Sequence, residues 1–137
     1  MSKMEPENNL ADREQVEVYS PPSGEYIVLI LRGKMVYENA SAIGKILESK
    51  LQEKCSYVVD VDALERLDST GFGVLMTFAK KVAKQDGQVG YKVSNEFLKE
   101  LFEIAKFNYV FPMAETHEEV WQLMREGFQP KIPLTQY

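Results

Sequence analysis

Residues 58–76 read VVDVDALERLDSTGFGVLM, and the fold turns on how this stretch divides. With the two residues before it, the run SYVVDV (56–61) has the apolar composition of a short strand. The segment DALERLDSTG (62–71) is polar and reads as a connection. From Thr70 onward Phe72, Leu75, Phe78, Ala79 and Val82 recur at helical spacing until KQDGQ (84–88) stops them. A strand, a polar connection and an amphipathic helix in that order form part of a parallel crossover.

The same alternation continues on both sides. Upstream, EYIVLILRG (25–33) is apolar through its middle, as a strand buried on both faces must be, and Gly33 is expected to close it. Before it, VEVY (16–19) alternates and is ended by PPSG (21–24), so it should pair antiparallel with its neighbour. KMVYENAS (34–41) is a connection in which Asn39 or Ser41 can cap a helix over AIGKILESKLQEK (42–54), with Ile43, Ile46, Leu47 and Leu51 on one face. Downstream come a strand in VGYKV (89–93), a helix in NEFLKELFEIAK (95–106) and a last strand in YVF (109–111). Thr116 and Glu119 form a capping box opening HEEVWQLMRE (117–126), which Gly127 ends. The order β-β-α-β-α-β-α-β-α predicts a single α/β domain, a mostly parallel mixed sheet with crossover helices. Its boundaries are set at 16–126, with a mobile polar arm over 1–15 and a proline-interrupted tail over 127–137.

Composition narrows the function. A chain of 137 residues, 45% apolar and 27% charged, suits one globular domain. The formal net charge of −5 and the absence of a Lys/Arg cluster argue against nucleic-acid binding. The opening MSKMEPENNLADREQ has no apolar core, so no secretory leader is expected. No apolar run approaches the roughly 18 residues of a membrane span. The single cysteine, Cys55, forms no internal disulfide and no cysteine zinc site alone. A cytoplasmic protein without metal or cofactor is the expectation.

Ser69 invites an enzymatic reading, because strand–serine–helix is the geometry of a nucleophile elbow. Leu67 occupies the first glycine position of that motif, and a catalytic serine needs a base. The only histidine, His117, is expected at the surface in the first turn of the last helix. Asp68 stands one residue too early for an aspartic-protease motif, and neither phosphate-loop glycine pattern is present. Asp60 and Asp62 read as the end of a strand. Capping by Asp68, Ser69 or Thr70 is the simplest role for the segment. Three capping residues stand where one suffices, however, and Gly71 and Gly73 are poor helix formers that suggest a backbone left open to approach. A serine at a helix N-terminus can also carry a phosphate without harm to the fold, since the helix dipole favours an anion there.

The segment VVDVDALERLDSTGFGVLM resembles the centre of STAS domains, in particular the bacterial anti-sigma factor antagonists. Asp68-Ser69-Thr70-Gly71-Phe72-Gly73 carries the resemblance, supported by IVLILRG before it and VSNEFLKELFEIAKFNYVF after it. The resemblance implies a non-enzymatic switch that binds an anti-sigma factor, itself a serine kinase, and so frees a sigma factor. It implies phosphorylation at Ser69, which weakens the complex, and reversal by a metal-dependent phosphatase of the PP2C type. Asp68 would orient the serine or its loop. Partner contacts are expected at Lys34, Met35, Val36 and Glu38 together with Asp68, Ser69, Thr70, Gly71, Phe72 and Gly73, with no small-molecule substrate. Where the family pattern has Gly-Glu/Asp-Leu-Asp, this chain has Gly33-Lys34-Met35-Val36, which bears on the partner's identity. A docking subunit of a lipid or anion transport assembly, or a member of a phosphorelay without a sigma factor, is the other role the resemblance allows.

Overall fold

The computed structural model describes residues 15–136, so the arm expected over 1–15 lies, but for Gln15, outside the described residues. Five strands, β1 (Val16–Tyr19), β2 (Ile27–Met35), β3 (Tyr57–Leu67), β4 (Val89–Lys92) and β5 (Met113–Ala114), form one sheet in sequence order. β1 pairs antiparallel with β2, and the other pairs are parallel. Among the described residues the α-helices are α1 (Ala40–Glu48), α2 (Ser69–Lys84), α3 (Glu96–Ile104) and α4 (His117–Arg125). The element order and mixed sheet are those expected.

Strand alternation decides which helix lies on which face. Leu29, Leu31, Val59 and Val61 pack with Ile43 and Leu47 of α1, Leu75 and Phe78 of α2, and Leu98 and Phe102 of α3. Val28 and Val58, one residue out of phase, meet Val120 and Met124 of α4 on the other face. Asp60 and Asp62 continue the series from Val58, so two carboxylates stand on the side that α4 covers.

Several boundaries differ from expectation. β3 continues through ALERL to Leu67 because it pairs there with the end of β2, Arg32 with Ala63 and Met35 with Leu67. β2 is not closed by Gly33, which takes a left-handed φ of +75° at a register shift in the β2–β3 ladder and lets the strand go on to Met35. YVF is not a strand. Phe107–Tyr109 is a 3-10 turn, Val110 and Phe111 are buried, and β5 forms only after Pro112, whose carbonyl accepts from the Tyr91 N–H at 2.9 Å. α1 ends at Glu48, six residues short, although Leu51 still packs on the core. The segment after α4 is held by the Lys131 and Ile132 N–H groups, which both donate to Tyr109 O.

Candidate functional site

In a parallel sheet the loops after adjacent strands open on one edge. Here the end of β2 and the end of β3 deliver residues 34–38 and 68–73 side by side, Lys34 opposite Arg66 and Met35 opposite Leu67. Asp68 joins the two loops. Its Oδ1 accepts from the Gly71 N–H at 2.9 Å, capping α2, and its Oδ2 accepts from the Tyr37 N–H at 3.0 Å. Of the three capping residues, Asp68 is therefore the cap, and Ser69 begins the helix with an exposed side chain that makes no hydrogen bond among the described residues. The Gly71 N–H does most to hold the Asp68 carboxyl below the ordinary carboxylate value, with those of Tyr37 and Thr70 adding to it.

Asn39 shapes the facing loop rather than bonding into α1. Its Oδ1 accepts from the Val36 N–H at 3.0 Å and its Nδ2 donates to Lys34 O at 2.8 Å. Lys34 and Glu38 are exposed, whereas Met35 and Val36 are buried and support the loop from below. Phe72 points inward, 5.0 Å from the rings of both Phe102 and Phe107.

The two glycines behave differently. Gly71 is not open to approach: a Cβ there would collide with Met35 O and lie 2.6 Å from Leu67 Cδ1. Gly73 is open, with nothing within 4 Å of an added Cβ. It lines a groove of about 460 Å³ between α1 and α2, with Thr70 and Val74 beside it and Gly44 and Lys45 opposite.

A second polar cluster escaped the sequence reading. His117 is not a free surface residue, since its Nε2 lies 2.8 Å from Asp60 Oδ2. Lys92 Nζ donates to Asp62 Oδ2 at 2.6 Å and stands 3.8 Å from Asp60 Oδ2. Asp62 also accepts from Ser94 Oγ and from the N–H groups of Ser94 and Asn95. The ammonium between the carboxylates makes this a closed ion network, and among the described residues no group of His, Cys, Asp and Glu is placed to hold a metal. The signal for it was the phase of Asp60, two residues after Val58 on the face that α4 covers. Nor is any described helix long and apolar enough to cross a membrane.

Comparison with known proteins bears on this arrangement. The family model for the STAS domain matches residues 15–120. No curated protein matches the chain in sequence. Among solved structures, an anti-sigma factor antagonist from Mycobacterium paratuberculosis superposes with a TM-score of 0.68 at 19% identity, over 80% of this chain and 92% of that one. The anti-sigma factor antagonist SpoIIAA in its unphosphorylated form gives 0.60 at 18% identity, over 83% and 99%. The Bacillus cell fate determinant SpoIIAA in its phosphorylated form gives 0.56 at 16% identity, over 80% and 99%. At these identities the likeness is one of fold.

Proposed function

The chain belongs to the STAS domain family, and we propose that it works as an anti-sigma factor antagonist switched by phosphorylation at Ser69. Unmodified, it binds a cytoplasmic anti-sigma factor that is also a serine kinase, and a sigma factor is released. The kinase transfers phosphate to Ser69, the complex weakens, and a PP2C-type phosphatase restores the binding form. The chain itself supplies a surface and catalyses nothing; residues 16–126 are the switching domain.

One observation carries this reading: Ser69 is exposed at the first position of α2 while Asp68 does the capping. A helix that needs no hydroxyl from its first residue leaves that hydroxyl to be modified. The adjoining loop adds Lys34 and Glu38 to the same edge, and Thr70 and Gly73 continue it, with Met35, Val36, Gly71 and Phe72 as its packed support. The solved structures similar in fold include anti-sigma factor antagonists, one of which, SpoIIAA, is also solved in a phosphorylated form.

The test is incubation with ATP and a serine kinase of the anti-sigma factor class from the same organism, followed by phosphopeptide mapping. Phosphate on Ser69 is expected. Phosphate only on Thr70 or only within residues 1–15 overturns the site, and no phosphate at all favours the docking-subunit role.

A further inference from the structure

Tyr37 is 76% exposed, yet the backbone that carries it is fastened on every side. Its own N–H donates to Asp68 Oδ2 at 3.0 Å, and the preceding Val36 N–H donates to Asn39 Oδ1 at 3.0 Å. The turn closes through the Asn39 N–H onto Val36 O at 3.1 Å, and Val36 is buried. A ring in solvent contributes little to the fold, so a rigid turn built to present one needs another reason. Fixing the backbone in advance lowers the entropic cost of engaging the ring in a partner. Tyrosine is also among the residues that dominate protein–protein binding energy. The other exposed large apolar side chains, Phe97 and Ile104 on α3 and Val18 and Tyr19 on β1, have no hydrogen-bonded tie to the Ser69 helix among the described residues.

We infer that Tyr37 is the aromatic anchor by which the serine-kinase partner grips this chain, and that Asp68 is its positioning residue. This rests on the partner-switching function proposed above. One carboxylate serves both halves of the surface: Oδ1 holds the helix that begins at Ser69, and Oδ2 holds the turn that presents Tyr37. The partner must then offer an apolar pocket for the ring, with no negative charge facing Asp68 and Glu38. Asparagine is itself a good helix cap, so in Asp68→Asn its one acceptor oxygen stays with the Gly71 N–H and the tie to Tyr37 is lost.

The experiment is calorimetric titration of the full chain, unphosphorylated, against the anti-sigma factor kinase that phosphorylates it in the test above, with wild type, Tyr37→Ala, Tyr37→Phe, Asp68→Asn and the Tyr37→Ala/Asp68→Asn double variant. Tyr37→Ala should bind about thirtyfold more weakly or worse, as loss of a dominant contact does. Tyr37→Phe keeps the ring and should stay within about threefold, the loss of a rim hydroxyl being small. Asp68→Asn should lose about tenfold, and the double variant no more than Tyr37→Ala alone, which is the signature of one residue acting through another. Melting temperatures, measured alongside, should stay close for both Tyr37 variants. Wild-type affinity in Tyr37→Ala, with phosphorylation of Ser69 still releasing the kinase, overturns the inference and leaves the function standing. Losses that multiply in the double variant overturn the positioning role of Asp68. A wild-type chain that does not bind the kinase overturns the function and the anchor with it.

Discussion

His117 Nε2 lies 2.8 Å from Oδ2 of Asp60, a carboxylate only 8% exposed on the central strand. The contact ties the first residue of α4 to the middle of the sheet, where the positive end of the helix dipole also favours an anion. His117→Ala leaves Asp60 with the Asp62 N–H at 3.1 Å and Lys92 at 3.8 Å. Removing one partner of a buried polar group costs about 1–3 kcal/mol. Urea denaturation of His117→Ala should show a loss of that size, and a cycle with Asp60→Ala should show the two to be coupled. Kinase binding should be unchanged, because the pair lies on the α4 face and takes no part in the Ser69 surface.

Acid should unfasten the neighbouring carboxylate. Burial pushes the Asp62 carboxyl up, but hydrogen bonds from Lys92, Ser94 and the Asn95 N–H outweigh it and hold its pKa at about 2, against an ordinary 3.8. The folded value is the lower one, so the stabilisation is complete above the ordinary pKa and is lost as pH falls through about 2. Discounted for the solvent that still reaches the group, it amounts to about 1–2 kcal/mol. Asp62→Asn should therefore melt below wild type at pH 7, and the two melting curves should converge towards pH 2. Curves that stay parallel would show that the network does not depend on the charge of Asp62.

Gly71 and Gly73 should respond in opposite directions to alanine. At Gly71 the new methyl meets a backbone oxygen that cannot move aside, and overpacking of this kind costs about 1–3 kcal/mol. At Gly73 it meets nothing within 4 Å, so the helix gains up to about 1 kcal/mol from the better helix former. Thermal melts of the two variants decide this. A destabilised Gly73→Ala would mean that the groove between α1 and α2 closes on its own floor.

Lys34 stands exposed on the edge that carries Ser69, so under the proposed function it is a candidate determinant of partner choice. Reversal of a rim charge acts mainly on the association rate and its salt dependence. Lys34→Glu should slow association with the native kinase severalfold at low salt, with the difference shrinking as salt is added and with an unchanged melting temperature. Identical association kinetics would remove Lys34 from the interface.

The elements that bury a continuous or periodic apolar surface were legible in the chain: β2, β4 and the four helices follow from YIVLIL, VGY and the helical spacing of leucine, isoleucine and phenylalanine. The end of β3 was not. ALERL pairs with β2 alone, beyond the reach of β4, and a ladder exposed in this way accepts Glu65 and Arg66 without apolar alternation. The aromatic run YVF misled for the opposite reason, since Val110 and Phe111 were used to fill the core, Phe111 against the rings of Tyr91 and Phe107. At the site, the motif around Ser69 was readable because capping and glycine chemistry are local. Tyr37 was not, because what makes it notable is a bond to Asp68, 31 residues away in the chain.

Binding should depend on the charge at position 69 and hardly on the hydroxyl. An interface arranged for a neutral serine beside the Asp68 carboxylate has no place for further negative charge, and misplaced charge there costs several kcal/mol. At about 1.4 kcal/mol per tenfold, phosphorylation should weaken the complex by about a hundredfold or more. Ser69→Ala should bind nearly as well as wild type and remain locked in the binding state. Ser69→Asp should bind worse than wild type, though better than phosphoserine, which carries about −1.5 to −2 charges. Stability should scarcely follow, because the helix N-terminus attracts an anion by about 0.3–1 kcal/mol while Asp68 repels it. All forms should then melt within a few degrees of one another. Calorimetric titration of wild type, phosphoserine, alanine and aspartate forms against the kinase separates charge from hydroxyl, and equal affinities throughout would reduce Ser69 to an exposed residue at the start of α2.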